Sequence, residues 1–279
     1  MEKKDSLYKQ HKIPKQIWRA IYPPAIYFGM QILISIIVMI PYALSHTFEE
    51  LLAFVDRSIL SIAFLSALIC IPLFVLFARL DLHRGDKNQF SKRKTVLVIP
   101  FALAVTWTLD VLLSLPIVTD LFPSYEQHIN ATFSGSLWIQ ILYIGITAPI
   151  AEELCFRKLI FRRLRVQHGF AFSAVIMAAI FGILHFNFLQ SIYAFFFALL
   201  LAWLYEKSGS ILASILFHAT VNIVGIFVTK FLPNVEIADR TVWSVTFVTF
   251  VLSVVLFLVI GKGTIHKDEK ERVDPNGTF

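Results

Sequence analysis

Residues 151 to 165 read Ala-Glu-Glu-Leu-Cys-Phe-Arg-Lys-Leu-Ile-Phe-Arg-Arg-Leu-Arg, and they put Glu152 and Glu153 at the end of the apolar run Leu137 to Ile150. Carboxylates at such a place are costly unless a nearby group pairs or uses them. Glu153 and Arg157 are four residues apart, a helical spacing that allows an ion pair. Glu152 lies about 100° further round the helix, so the arginine cannot hold both carboxylates equally. One is held, and the other is free to act.

Working outward, the rest of the chain is apolar enough to bury such a site in lipid. It is 57% hydrophobic with 27 Phe and has a mean hydropathy of +0.71, against roughly 45 to 50% apolar residues in soluble domains. An all-α membrane bundle is expected. The formal charge of +6 sits in the connections between apolar runs, where it orients a membrane protein rather than binding nucleic acid. Cys70 and Cys155 form no disulfide framework. Polar and basic residues precede a first run long enough to span, which is therefore expected to stay as an anchor.

Eight apolar runs are expected: about Tyr22 to Leu44, Ser58 to Phe77, Thr95 to Val118, one starting near Leu137, Phe170 to Phe188, Leu189 to Tyr205, Ile211 to Phe231, and Val242 to Ile260. They divide the chain into a cytosolic tail (1–21), three helices with their loops (22–136), a core of four helices (137–231), a last helix (232–261) and a second tail (262–279). Eight crossings put both tails on one side. Of the 25 Lys and Arg, only Arg57, Lys230 and Arg240 then fall on the other side. The tails are expected to face the cytosol, and in a bacterium the membrane is the plasma membrane.

Other polar groups inside apolar runs complete the set. His218 and Asn222 share one helix face at a four-residue spacing, and His185 comes from another run. Together with a carboxylate, two imidazoles and an amide can take a proton from water and hydrogen-bond a developing oxyanion. Two imidazoles and a carboxylate could instead hold Zn²⁺ with an open position for water. The sequence allows a metal and a metal-free mechanism equally. The bland alternative for the glutamates is a helix-end ion cluster with Arg157, Arg162 and Arg163. Asp110 is a lone acid in the third run.

These motifs, Glu-Glu-x-x-x-Arg at 152–157, Phe-x-x-x-His at 181–185 and His-x-x-x-Asn at 218–222, resemble the signature of the CPBP, or Abi, intramembrane proteases. That family includes type II CAAX prenyl endopeptidases and bacteriocin-processing or immunity proteins. The resemblance covers about Leu137 to Phe231. It implies that Glu152 activates water, supported by Glu153 and Arg157, and that His185 assists. By the same resemblance His218 and Asn222 contact the scissile carbonyl, or His218 binds a metal. The implied partners are a peptide or membrane-protein substrate and the bilayer. Relatives usually carry glycine after the motif arginine, where this chain has Lys158. A non-catalytic scaffold or immunity protein of the same fold is the alternative.

Depth adds one further expectation. At 1.5 Å per residue His185 would lie about 22 Å from the cytosolic edge, against about 8 to 10 Å for Glu152 and His218. The fifth helix should therefore be short or tilted. Cys155 sits in apolar surroundings that disfavour a thiolate, so Cys155→Ala should leave any hydrolytic activity largely intact in a cleavage assay. Loss of cleavage would instead make the thiol the nucleophile.

Overall fold

The sharp turn after the first helix is closed by a reciprocal cap. Thr47 N–H donates to Glu50 Oε2 at 2.8 Å, and Glu50 N–H donates to Thr47 Oγ1 at 3.3 Å, so two donors that a helix start leaves free are both satisfied. In this computed structural model the described residues are 2–81, 92–133, 135–231 and 239–262, with side chains described from 17 in the first segment and from 95 in the second. They contain helices and no strand.

In chain order the helices are α1 (Glu2–Ala43), α2 (Phe48–Leu80), α3 (Lys92–Leu113), α4 (Pro116–Leu121), α5 (Pro123–Thr132), α6 (Leu137–Arg165), α7 (Phe170–Ile183), α8 (Phe188–Ser208), α9 (Ile211–Phe231) and α10 (Arg240–Gly261). Seven of these, namely α1, α2, α3, α6, α8, α9 and α10, are long and apolar enough to cross a membrane. The protein is an integral, multi-pass membrane protein. Helix α7 has 14 residues, about 21 Å, too short for a hydrocarbon core of about 30 Å. It is the short fifth helix that the depth of His185 called for.

Three boundaries differ from the hydropathy reading. Helix α1 starts at Glu2, so the expected tail is largely helical, since polar residues leave no hydropathy signal while keeping helical propensity. Helix α3 stops at Leu113 rather than Val118, because Leu115 is extended before Pro116, which opens α4 at its first position. Helix α2 takes in Glu49 and Glu50 as its first turn, where carboxylates suit the helix dipole. The expected second tail lies outside the described residues except for Lys262.

Helix α6 is the central rod. In its span 56% of the apolar stretch is buried, against 11% for α1 and 17% for α10. One apolar cluster packs its Ala151, Cys155 and Leu159 against Tyr27 of α1, Phe74 of α2, Phe181 of α7 and Ala198 of α8. A second joins Phe101 of α3, Leu204 of α8, Phe217 of α9 and Ile260 of α10. Because lipid gives helices little hydrophobic reason to associate, polar bonds matter here. Trp107 Nε1 donates to Thr246 Oγ1 at 3.2 Å, and the Thr108 and Thr249 hydroxyls are 3.0 Å apart, tying α3 to α10. At the basic end Arg163 donates to Asp81 Oδ2 at 2.6 Å and to Arg19 O at 2.8 Å, which fastens α6 to α2 and α1.

The α7–α8 hairpin turns within Leu184 to Asn187, where Phe186 takes a left-handed φ of 54°, a strained conformation for an aromatic residue. Asn187 caps α8 by accepting the Gln190 N–H. Close approach of the two helices depends on Gly182, since a Cβ there would stand 2.6 Å from the Ser191 carbonyl oxygen. Backbone must shift to admit it. Gly182→Ala should therefore cost about 1 to 3 kcal/mol, read as a lower midpoint of thermal unfolding in detergent; an unchanged midpoint would mean that the hairpin has slack.

Candidate active site

The glutamate pair sits where α6 departs from regular α geometry. Residues Ile141–Thr147 and Leu154–Phe161 are wound as π-helix, with Ala148–Glu153 as one α-helical stretch between them. Such wide turns are rare and concentrate at functional sites. Within the first, Ala148 N–H bonds to Tyr143 O, five residues back, and the Thr147 hydroxyl donates to Leu142 O at 3.0 Å. Pro149 follows, with no N–H to give.

Beyond that break, three charged or titratable side chains meet in the core. Glu153 Oε1 lies 3.0 Å from Arg157 Nη1 and 2.9 Å from His218 Nδ1. Glu153 and Arg157 are fully buried. The approach of Nη1 is not aligned as a hydrogen bond, and Glu153 Oε2 and Arg157 Nε also lack one among the described residues. Arg157 Nη2 reaches the Ala198 carbonyl at 3.5 Å, and its guanidinium lies 4.9 Å from the Phe181 ring centre. A carboxylate, a guanidinium and an imidazole from two helices thus neutralise one another where water is excluded.

Because an ionised carboxylate only accepts, the His218 contact with Glu153 puts a hydrogen on Nδ1. Nε2 is then turned to Glu152, 3.8 Å from its Oε2. Of the two acids, Glu153 has no exposed side-chain surface and Glu152 keeps 20%. Glu152 is therefore the carboxylate that solvent or a substrate can reach. A separation of 3.8 Å is too long for a direct hydrogen bond and suits one bridging water.

The two remaining motif residues are bound elsewhere. His185 lies in the turn after α7 rather than on a helix, and its Nδ1 bonds to Phe181 O at 2.8 Å. A carbonyl accepts, so the free ring nitrogen is Nε2. The Phe181 ring stands between the two histidines, 4.8 Å from His185 and 6.3 Å from His218, centre to centre. Asn222 Nδ2 donates to Ile144 O at 2.8 Å, into the backbone of α6. Asp110 stands apart, with Oδ2 buried and without a hydrogen bond among the described residues. Cys155 is fully buried among apolar residues. Lys158 is half-buried beside the motif.

The donor set was tested against a metal. A catalytic zinc takes three protein ligands, whereas no three His, Cys, Asp or Glu side chains among the described residues are grouped so as to hold an ion. Glu152 and His218 provide two donors and fall short of such a site. The sequence reading also missed Tyr27 and Tyr143. Tyr27 is buried with a hydroxyl that has no aligned partner, in the same cluster as Ala151 and Cys155, and Tyr143 packs against that cluster. Their only sequence signal is a hydroxyl inside an apolar run.

Residues 134–224 match the family model described as type II CAAX prenyl endopeptidase Rce1-like. A protein of Bacillus subtilis (strain 168) named "Putative membrane peptidase YdiL" is 32% identical over 84 residues, which is 30% of this chain and 34% of that protein. The two matches support a CPBP-family protein. The aligned part spans about a third of that curated relative, and no solved structure matches. The matched segment runs from just before α6 into α9 and so includes all six motif residues.

Burial divides the two glutamates: Glu153 is enclosed with Arg157, whereas Glu152 keeps some exposed side-chain surface. Arg157→Ala strands the Glu153 charge and should cost about 3 to 5 kcal/mol. Glu152→Gln, which changes a partly accessible carboxylate whose nearest charged or titratable contact is His218 at 3.8 Å, should leave the thermal midpoint nearly unchanged. Equal destabilisation by both substitutions would contradict this division.

Proposed function

We propose that this protein is an intramembrane endopeptidase that hydrolyses a peptide bond in a membrane-associated peptide or protein through water activated by Glu152. The observation that carries the reading is the pair Glu152 Oε2 and His218 Nε2, facing each other at 3.8 Å, with His218 fixed from behind by Glu153. Family resemblance adds support for a protease. It does not specify the substrate.

In the proposed reaction a water held between Glu152 and His218 gives a proton to the Glu152 carboxylate as its oxygen attacks the carbonyl carbon. His218, when protonated, donates from Nε2 to the oxyanion that forms. Return of the proton from Glu152 to the peptide nitrogen lets the C–N bond break, leaving a carboxylic acid and an amine. His185 offers Nε2 as a second proton carrier from the α7–α8 turn. Glu153 and Arg157 stay paired and set the tautomer of His218. Every step uses residues of this chain, and none is routed through a metal.

A site buried within α6 and opening toward the cytosolic leaflet suits a substrate already in the membrane. The non-catalytic alternative, a scaffold or bacteriocin-immunity protein, is favoured by Lys158 in the place of the usual glycine. One comparison separates the two. Glu152→Gln and His218→Ala should each lower cleavage of a candidate membrane peptide by at least about 10²-fold, with metal content and chelator sensitivity measured on the same samples. Variants that cleave normally would end the enzymatic reading, and variants that retain a protective phenotype in cells would favour the scaffold.

A further inference from the structure

One bond in the site does something that hydrolysis does not call for. Asn222 spends an amide hydrogen on the carbonyl of Ile144 at 2.8 Å, although a backbone carbonyl inside a helix ordinarily has its own donor. The reason lies five residues on. In the register of the preceding bond, Ala148 N–H to Tyr143 O, the donor for Ile144 O is the N–H of residue 149. That residue is proline and has none.

We propose that Pro149 and Asn222 form one positioning device: the proline frees the Ile144 carbonyl, and the Asn222 amide captures it, locking α9 onto α6 about two turns before the glutamates. The capture has a second structural support at Gly145. A Cβ on Gly145 would stand 2.8 Å from Ile223 Cγ1, so a larger residue there would have to displace the Ile223 side chain beside Asn222. His218 lies four residues before Asn222 on the same helix face. The lock that holds Asn222 against α6 therefore also fixes how His218 faces Glu152 and Glu153. Asn222 is on this account a positioning residue that acts through His218 and the backbone.

The structural half of this proposal is independent of the protease reading, and only the step to cleavage rests on it. The test uses the full chain in detergent and compares Asn222→Ala, Pro149→Ala and the double variant. Asn222→Ala leaves a half-buried carbonyl unsatisfied and should lower the unfolding midpoint by about 2 to 4 °C. Pro149→Ala restores an N–H that can reach Ile144 O, so adding Asn222→Ala to it should lower the midpoint by much less. Where a cleavable peptide is in hand, the relative loss of cleavage on removing Asn222 should shrink in the same way.

A side chain that only touched the substrate would not be rescued from position 149. Equal losses with and without the proline, a double variant no better than Asn222→Ala, or an Asn222→Ala protein as stable and active as the parent would each overturn the proposal. Because the unfolding measurement needs no substrate, absence of cleavage in every sample would sink the protease reading and leave the lock to be judged on stability alone.

Discussion

A buried ion pair with an imidazole attached to it governs the rest of this structure. Charges removed from water are costly, and their mutual attraction offsets that cost only when the geometry is tight. Glu153 lies 3.0 Å from Arg157 and 2.9 Å from His218, although Nε and Nη1 of Arg157 and Oε2 of Glu153 make no aligned hydrogen bond among the described residues. Their need for one another pins α9 to α6 and leaves Glu152 as the carboxylate with room to react. Packing follows from the same need, since Arg157 is enclosed by Phe181 of α7 and the Ala198 carbonyl of α8. Four helices are thereby committed around one residue.

The irregular winding of α6 is the second half of the design. A regular helix satisfies its own backbone and offers no polar handle to neighbours in lipid. The two π-helical stretches and Pro149 loosen that closure beside the glutamates, and a side chain from α9 takes up the carbonyl so released. On the far side of Phe181, a strained turn at Phe186 and the close contact at Gly182 place His185 just after a helix too short to cross the membrane.

Much of this was legible in the sequence. Apolar runs gave the membrane bundle, because the cost of backbone and charge in lipid imposes length and hydropathy on every span. Depth arithmetic on His185 pointed to a short fifth helix. Spacing placed Glu153 with Arg157, because four residues along a helix is a fixed geometry. What was hidden depends on tertiary contact. Nothing in His-x-x-x-Asn says that the amide turns to the Ile144 backbone, and no local pattern announces a π turn. Tyr27 comes from a helix more than a hundred residues away from the glutamates. The end of α3 was misread at Val118 although Pro116 marked it, because the apolar run continues through the break.

The claim on which the account depends is that Glu153 fixes the tautomer of His218 so that Nε2 faces Glu152. Nitrogen NMR of the protein labelled at histidine, with His218 assigned by its loss in His218→Ala, reads this directly. The account predicts a hydrogen on Nδ1 of His218 and a signal that changes in Glu153→Gln. A His218 carrying its hydrogen only on Nε2, and indifferent to position 153, would contradict it.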